Sequence, residues 1–112
     1  MADSQMLIDI ARDIQTIIKQ LEEAPTIVQQ SRDELRIAES ALSRAEARSF
    51  LESSGTVKER DARVALECAD LRDDVEVARA AFDYSRSFVK SLESRLGGLQ
   101  TLGAIARMEM RL

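Results

Sequence analysis

Apolar residues recur along the chain in alternating steps of three and four residues, which is the spacing of a coiled-coil seam. In the first half of the chain this repeat starts at Leu7 and Ile10 and continues to Ala45. A second repeat with the same steps covers residues 57–99, and only Asp61 interrupts its apolar character. Repeats of this length predict two long amphipathic helices that pair along one apolar seam.

The residues between the two repeats, Ser53–Thr56, carry the signals of a tight reversal. Gly55 suits the left-handed position just beyond a helix end, where a side chain costs energy. Thr56 and Glu59 have the spacing of a capping box, which satisfies backbone N–H groups at the start of a helix. We therefore predict an all-α fold, an antiparallel helical hairpin that resembles a coiled coil.

Pro25 lies inside the first repeat and is the residue most able to interrupt it. A proline in a helix interior removes a hydrogen bond and costs roughly 3 kcal/mol. The seam keeps its phase from Leu21 to Val28, so we expect a helix that is kinked at Pro25; a complete break there is the alternative. Counting outwards from the turn, antiparallel pairing places Leu42 beside Cys68.

Gly97 and Gly98 predict that the second helix either ends or bends sharply, because adjacent glycines disfavour a helix interior. The residues beyond them keep a helical spacing of apolar residues, so the tail is either a short amphipathic helix or a frayed terminus. The predicted organisation is a single helical domain over residues 1–112, with a first arm at 4–52, a turn at 53–56, a second arm at 57–96 and the Gly-Gly break and tail at 97–112.

Apolar residues outside the seam form a second stripe that two helices alone cannot bury. Leaving this stripe in water forfeits several kcal/mol, at about 0.8 kcal/mol for each buried CH₂. We expect two hairpins to associate into a four-helix bundle; a third helix formed by folding back at Pro25 is the alternative. The candidate residues of the oligomer interface are Ile8, Ile18, Ile27, Ile37, Val77, Ala81, Tyr84 and Phe88.

Charge is distributed unevenly, although the net charge of −4 predicts no general affinity for nucleic acid or membranes. Residues 84–112 contain five basic and two acidic side chains. Single-strand binders combine such cations with stacking rings, so Tyr84 and Phe88 fit this pattern, but packing of both rings in the dimer interface is the simpler interpretation. The candidate contacts for a partner or nucleic acid are Arg86, Lys90, Arg95, Gln100, Arg107 and Arg111.

No arrangement of residues typical of catalysis occurs in the sequence. The chain has no His and one Cys, so the usual bases, metal ligands and Cys–His pairs are missing, and we predict no catalytic, cofactor or metal site. Cys68 lies on the seam, where a small core residue is the expected role. The acidic residues between Glu67 and Glu76 lie off the seam, and we interpret them as a solvated face that offers an acidic patch to a basic partner.

The expected location is the cytoplasm. A single Cys excludes an intrachain disulfide and fits a reducing compartment. The N-terminus lacks the basic start and apolar run of a signal peptide, and no stretch approaches about 18 consecutive apolar residues, so we predict no membrane contact.

Two runs of sequence carry a family resemblance: Gly55-Thr-Val-Lys-Glu-Arg-Asp-Ala62 and Ser91-Leu-Glu-Ser-Arg-Leu-Gly-Gly-Leu-Gln100. They resemble small helical coiled-coil proteins encoded by bacteriophages of Gram-positive and actinobacterial hosts, over about residues 26–102. Those proteins tend to be encoded in early or recombination gene clusters and have no established activity. The resemblance implies a phage setting, a location in the host cytoplasm and an accessory role near DNA metabolism, and it assigns no functional residue.

Three functional hypotheses follow from these features. The first is a non-enzymatic, dimeric adaptor or inhibitor that binds a protein of DNA recombination or replication. The second is direct binding of single-stranded nucleic acid by the basic C-terminal end. The third is a structural oligomer that acts as an assembly scaffold.

Overall fold

The computed structural model of the protein describes residues 3–111, and helices account for all its regular secondary structure. Helix α1 covers Ser4–Glu52, α2 covers Val57–Glu67 and α3 covers Ala69–Arg111. The prediction of an all-α protein is therefore confirmed. Leu112, which belongs to the predicted tail, lies outside the described residues.

The helices contribute to two compact units. Unit 1 combines the residues up to Ile27 with those from Ser85 onwards, and unit 2 is Val28–Tyr84. In unit 1 the first half of α1 packs antiparallel against the second half of α3. The buried side chains of this pair are spaced by seven or fourteen residues on each helix, and they belong to the predicted seam or extend it. They are Ile10, Ile17, Ala24, Ser85, Leu92 and Ala106.

Unit 2 is an antiparallel helical hairpin by itself. Val64, Cys68 and Val75 are buried along its seam, and an ion pair of 2.9 Å joins Arg72 Nη2 to Glu46 Oε2 across the two arms. Gly55 has a φ of 106° in the turn, as the sequence predicts for the residue beyond a helix end. The Thr56 hydroxyl accepts a hydrogen bond of 3.2 Å from the backbone N–H of Glu59, which caps the start of α2.

Arg60 completes the turn by capping the end of α1. Its guanidinium donates hydrogen bonds of 2.8 and 3.3 Å to the carbonyl oxygen of Phe50 and lies 4.2 Å above the centroid of the Phe50 ring. The last carbonyl groups of a helix have no partner within the helix, so a nearby cation stabilises them. Val57 occupies a predicted seam position but is 65% exposed, whereas Arg60 lies beside Phe50.

The pairing of the helices differs from the register that the sequence predicts. Cys68 lines a cavity of about 160 Å³ together with Ala45 and Ser49, whereas the prediction placed Cys68 beside Leu42. Leu42 and Cys68 are the same kind of seam position, because in each case the next seam residue follows three residues later. In an antiparallel pair, such a position packs beside the other kind, which has a seam residue three residues before it. Ala45 is of this second kind, since it follows Leu42 by three residues. The arms are therefore displaced by about three residues from the predicted register.

Helix α1 passes through Pro25 without a break. Pro25 is exposed, and the residue before it, Ala24, is buried in unit 1. Burial of Ile17 and Ala24 along the seam favours a continuous helix and opposes the cost of a proline in a helix interior, about 3 kcal/mol.

Helix α3 also continues through Gly97 and Gly98, so the helix does not end at this position. Each glycine costs roughly 1 kcal/mol relative to Ala but does not itself end a helix. Leu96 and Leu99 are half-buried on either side and Leu92 is fully buried, so packing of α3 in unit 1 outweighs this cost.

The interruption of the second arm occurs at Cys68, where no signal in the sequence predicted one. Cys68 has φ −102° and ψ 10°, and it separates α2 from α3. The hydrogen bonds from the Cys68 N–H to the Val64 carbonyl and from the Arg72 N–H to the Cys68 carbonyl bridge the interruption, at 2.9 and 3.0 Å. It coincides with a hydrogen bond of 2.5 Å that the buried Ser49 hydroxyl donates to the carboxylate of Glu67.

Candidate interaction surfaces

Unit 2 presents an exposed apolar face on one flank of its seam. We define the apolar face as Ile37, Ala41, Val77, Ala81 and Tyr84. Ala41 and Ala81 come directly before the seam residues Leu42 and Phe82, and in an antiparallel pair such positions of both helices lie on the same flank. Val77 and Tyr84 are 70% and 71% exposed, and Ile37 is also exposed.

The remaining interface candidates belong to unit 1 and lie on both of its flanks. Ile27 and Phe88 each come directly before a seam residue, so they share one flank. Ile18 comes directly after the seam residue Ile17, and Ile8 lies on the same helix face as Ala11, which follows Ile10; both therefore lie on the opposite flank. All four side chains are exposed, but no single face of unit 1 contains them.

Five of the six candidate contacts near the C-terminus lie on one face of α3 in unit 1. Their spacings fit successive steps of three and four residues along a continuous helix, and all five are exposed. We define this basic stripe as Arg86, Lys90, Gln100, Arg107 and Arg111. Lys90 and Arg107 are 17 residues apart, which corresponds to about 26 Å along the helix axis.

The sixth candidate, Arg95, lies on the other flank of unit 1. It lines an open depression of about 570 Å³ with Asp13, Leu99 and Leu102. Gln100 and Arg107 instead line a smaller cavity of about 140 Å³ on the opposite flank, together with Ile10. The structure thus brings Gln100 and Arg107 together and separates Arg95 from them.

The aromatic ring of Phe88 does not share the face of the basic stripe. Phe88 lies two residues from both Arg86 and Lys90, and a separation of two residues directs side chains to nearly opposite sides of a helix. Tyr84, in unit 2, lies four residues before Phe88 and therefore on the same face of α3. Within unit 1, the Phe88 ring and the basic stripe therefore lie on nearly opposite sides of α3.

Within residues 3–111, no group of Cys, Asp and Glu side chains is arranged to hold a metal ion. Cys68 is buried and points into the seam of unit 2. Across the same residues, no helix combines the length and the apolar character needed to cross a membrane.

The fold defines a class, the all-helical proteins with long paired helices. Comparisons with models of protein families, with curated proteins and with solved structures found no match for the chain.

Proposed function

We propose that this protein is a non-enzymatic interaction protein that self-associates into a four-helix bundle and contacts a further protein. The observation that supports this proposal is the apolar face of unit 2, which leaves Ile37, Val77 and Tyr84 in water. Contiguous exposed apolar side chains are typical of protein interfaces. Burying each large side chain contributes about 1.5–3 kcal/mol, so covering this face by a second helical pair is strongly favoured.

The role proposed for the assembly is that of an adaptor or inhibitor acting on a protein of DNA recombination or replication. The phage setting of this role is supported by the resemblance carried by Gly55–Ala62 and Ser91–Gln100. The exposed ends of the helices and the basic stripe then supply the contacts to that partner. A purely structural scaffold is distinguished from this role by its mass, since a scaffold forms larger particles as concentration rises.

The self-association is tested with a double substitution on the apolar face, Ile37→Lys with Val77→Lys. Two lysines in a buried interface cost several kcal/mol, so we expect this variant to be monomeric in sedimentation equilibrium at concentrations where the wild type is dimeric. Leu66→Lys is the control, because Leu66 is 82% exposed on the outer side of α2 and lies off the apolar face. Equal association of both variants and the wild type contradicts the proposal.

The contact with a partner protein is tested by affinity capture from cells that express the recombination or replication proteins of an infecting phage. We expect one of these proteins to be retained by the folded wild type. A well-folded protein that retains none of them contradicts the adaptor role and leaves self-association to be decided by its own experiment.

A second candidate function is binding of single-stranded nucleic acid, which the alignment of the basic stripe favours. Four cations on one helix face can track a phosphate backbone, and such binding weakens steeply with salt. We expect a fluorescent single-stranded oligonucleotide to bind at low salt and to lose affinity when Arg107→Ala and Arg111→Ala are combined. Arg95→Ala, on the other flank, is the control and should have little effect. Absence of binding at low salt contradicts this function.

A further inference from the structure

Two pairs of opposite charge continue the apolar face of unit 2 towards its turn. The basic pair is Arg44 and Arg48 on α1, and the acidic pair is Asp70 and Asp74 on α3. Arg44 comes seven residues after Ile37, and Asp70 comes seven residues before Val77. Because a separation of seven residues returns to the same helix face, both pairs lie on the flank that contains the apolar face.

The two pairs also lie close together along unit 2. Because Cys68 lies beside Ala45, Arg72 lies about five residues farther from the turn than Glu46, yet the side chains of Arg72 and Glu46 meet in an ion pair of 2.9 Å. Arg44 and Asp74 are offset along unit 2 by the same number of residues, and so are Arg48 and Asp70. At about 1.5 Å for each residue the offset is about 7.5 Å, which the side chains of the Glu46–Arg72 pair bridge.

Neither pair is neutralised by another side chain of the described residues. All four side chains are exposed, and the ion pairs formed among residues 3–111 involve other acids and bases. A row of two cations therefore lies beside a row of two anions with the same four-residue spacing, at an axial offset that the Glu46–Arg72 ion pair also bridges. Such a surface is complementary to itself.

We infer that a second copy of this chain covers the apolar face, with a two-fold axis parallel to the helices of unit 2. This symmetry places α1 of each copy against α3 of the other, and both copies point in the same direction along the axis. Arg44 and Arg48 then face Asp74 and Asp70 of the second copy, and the apolar faces cover each other. The inference rests on the self-association proposed above and adds its surface and its orientation.

The opposite orientation, with an axis perpendicular to the helices, places α1 against α1 of the second copy. The basic pair then faces the part of α1 near Glu34, and the acidic pair of α3 faces no cation pair of the other copy. The two orientations therefore predict different responses when the acidic and basic pairs are exchanged.

The test uses two charge-reversed proteins, Arg44→Glu with Arg48→Glu, and Asp70→Arg with Asp74→Arg. In the inferred dimer, each variant alone places side chains of like charge opposite each other at four contacts. We therefore expect the dissociation constant of its homodimer to rise about tenfold or more. An equimolar mixture of the two variants restores every contact, because acidic α1 meets basic α3 at one place and basic α1 meets acidic α3 at the other. We expect the mixture to form a mixed dimer of near wild-type affinity, measured by sedimentation and identified by native mass spectrometry.

Matched control variants change the net charge of the chain by the same amount, but on the opposite flank of unit 2. They are Arg36→Glu with Arg79→Glu, and Glu76→Arg with Asp83→Arg, all at exposed positions. These controls should associate like the wild type. A single chain with all four reversals, at Arg44, Arg48, Asp70 and Asp74, should also dimerise, which shows that the reversed side chains are compatible with folding.

Three results overturn the inference. If the charge-reversed variants dimerise as tightly as the wild type, the face or its charges are not in the interface, while self-association itself stands. If the mixture does not regain affinity, the copies do not pair α1 with α3. If the wild type is monomeric, no second copy covers this face, and the capture experiment then decides whether another protein does.

Discussion

Two neighbouring isoleucines show how strongly the position of a residue on its helix determines its environment. Ile17 belongs to the seam of unit 1 and is 1% exposed, while Ile18 is 41% exposed. Both have the same side chain, helix and local backbone. The difference between them therefore measures burial alone.

Replacing each isoleucine by alanine tests the seam at the scale of single residues. We expect Ile17→Ala to lower the free energy of unfolding by about 2–5 kcal/mol, because it removes buried methyl groups and leaves a cavity. Ile18→Ala should lower it by less than about 0.5 kcal/mol, the range of most surface substitutions. Urea titrations monitored by circular dichroism measure both values. Comparable losses for the two variants contradict the seam.

The glycines allow a second comparison between residues of one kind. A Cβ atom at Gly97 or Gly98 meets no neighbouring side chain, so Ala at either position should stabilise the protein by up to about 1 kcal/mol through its higher helix propensity. Gly55 has a positive φ, and Ala there should destabilise the turn by about 1–2 kcal/mol. Thermal unfolding of the three variants gives the signs, and a destabilised Gly98→Ala variant contradicts a continuous α3.

The spacing of apolar residues predicts most of the side chains that line the seam, because burial follows the helical repeat, but Val57 is exposed at the start of the second repeat. The sequence pattern does not fix the fate of Pro25, Gly97 and Gly98. Each disfavours a helix by a known local cost, whereas the packing that offsets it depends on which residues face it from the other helix. Local rules therefore predicted a break at Gly97 that tertiary packing overrides.

At the scale of secondary-structure elements, the turn of unit 2 is stabilised by more than its own residues. Thr56 caps the start of α2, as its spacing to Glu59 predicts, and Arg60 caps the end of α1 through the Phe50 carbonyl. The second contact joins residues ten apart on either side of a reversal. No periodic pattern marks it, so it was found only in the structure.

Removing the Arg60 cap tests its contribution. We expect Arg60→Ala to lower the free energy of unfolding by about 1–2 kcal/mol, since hydrogen bonds to a charged donor and a cation–π contact are both lost. Arg63→Ala, an exposed arginine on the same helix, is the control and should change it by less than about 0.5 kcal/mol. Equal effects of the two substitutions contradict the cap.

The register of the helices is also an element-scale property. The seam repeats predict that two helices pair, but a shift of about three residues changes every contact while keeping the same residues in the seam. The position of Cys68 beside Ala45 resolves this ambiguity. It also gives Arg44 and Asp74 the same axial offset as the ion-paired Glu46 and Arg72, whereas the acidic cluster in the sequence indicated only a general patch for a basic partner.

At the scale of the whole molecule, the central feature is that a seam of small and aliphatic residues leaves large apolar side chains exposed. The sequence predicts this excess, because the chain has more apolar positions than two helices can cover. The structure places Ile37, Val77 and Tyr84 on one face of unit 2 and Ile8 and Ile18 on a flank of unit 1. The distribution over flanks could be determined only after the pairing of the helices was known.

The mass of the protein in solution tests the central claim most directly. Light scattering over a concentration series should give twice the chain mass of 12.5 kDa at micromolar concentration and above. Dilution should then shift the mass towards that of one chain, because the dimer is held by reversible contacts. A constant mass of one chain at every concentration, from a sample that remains helical by circular dichroism, contradicts self-association through the apolar face.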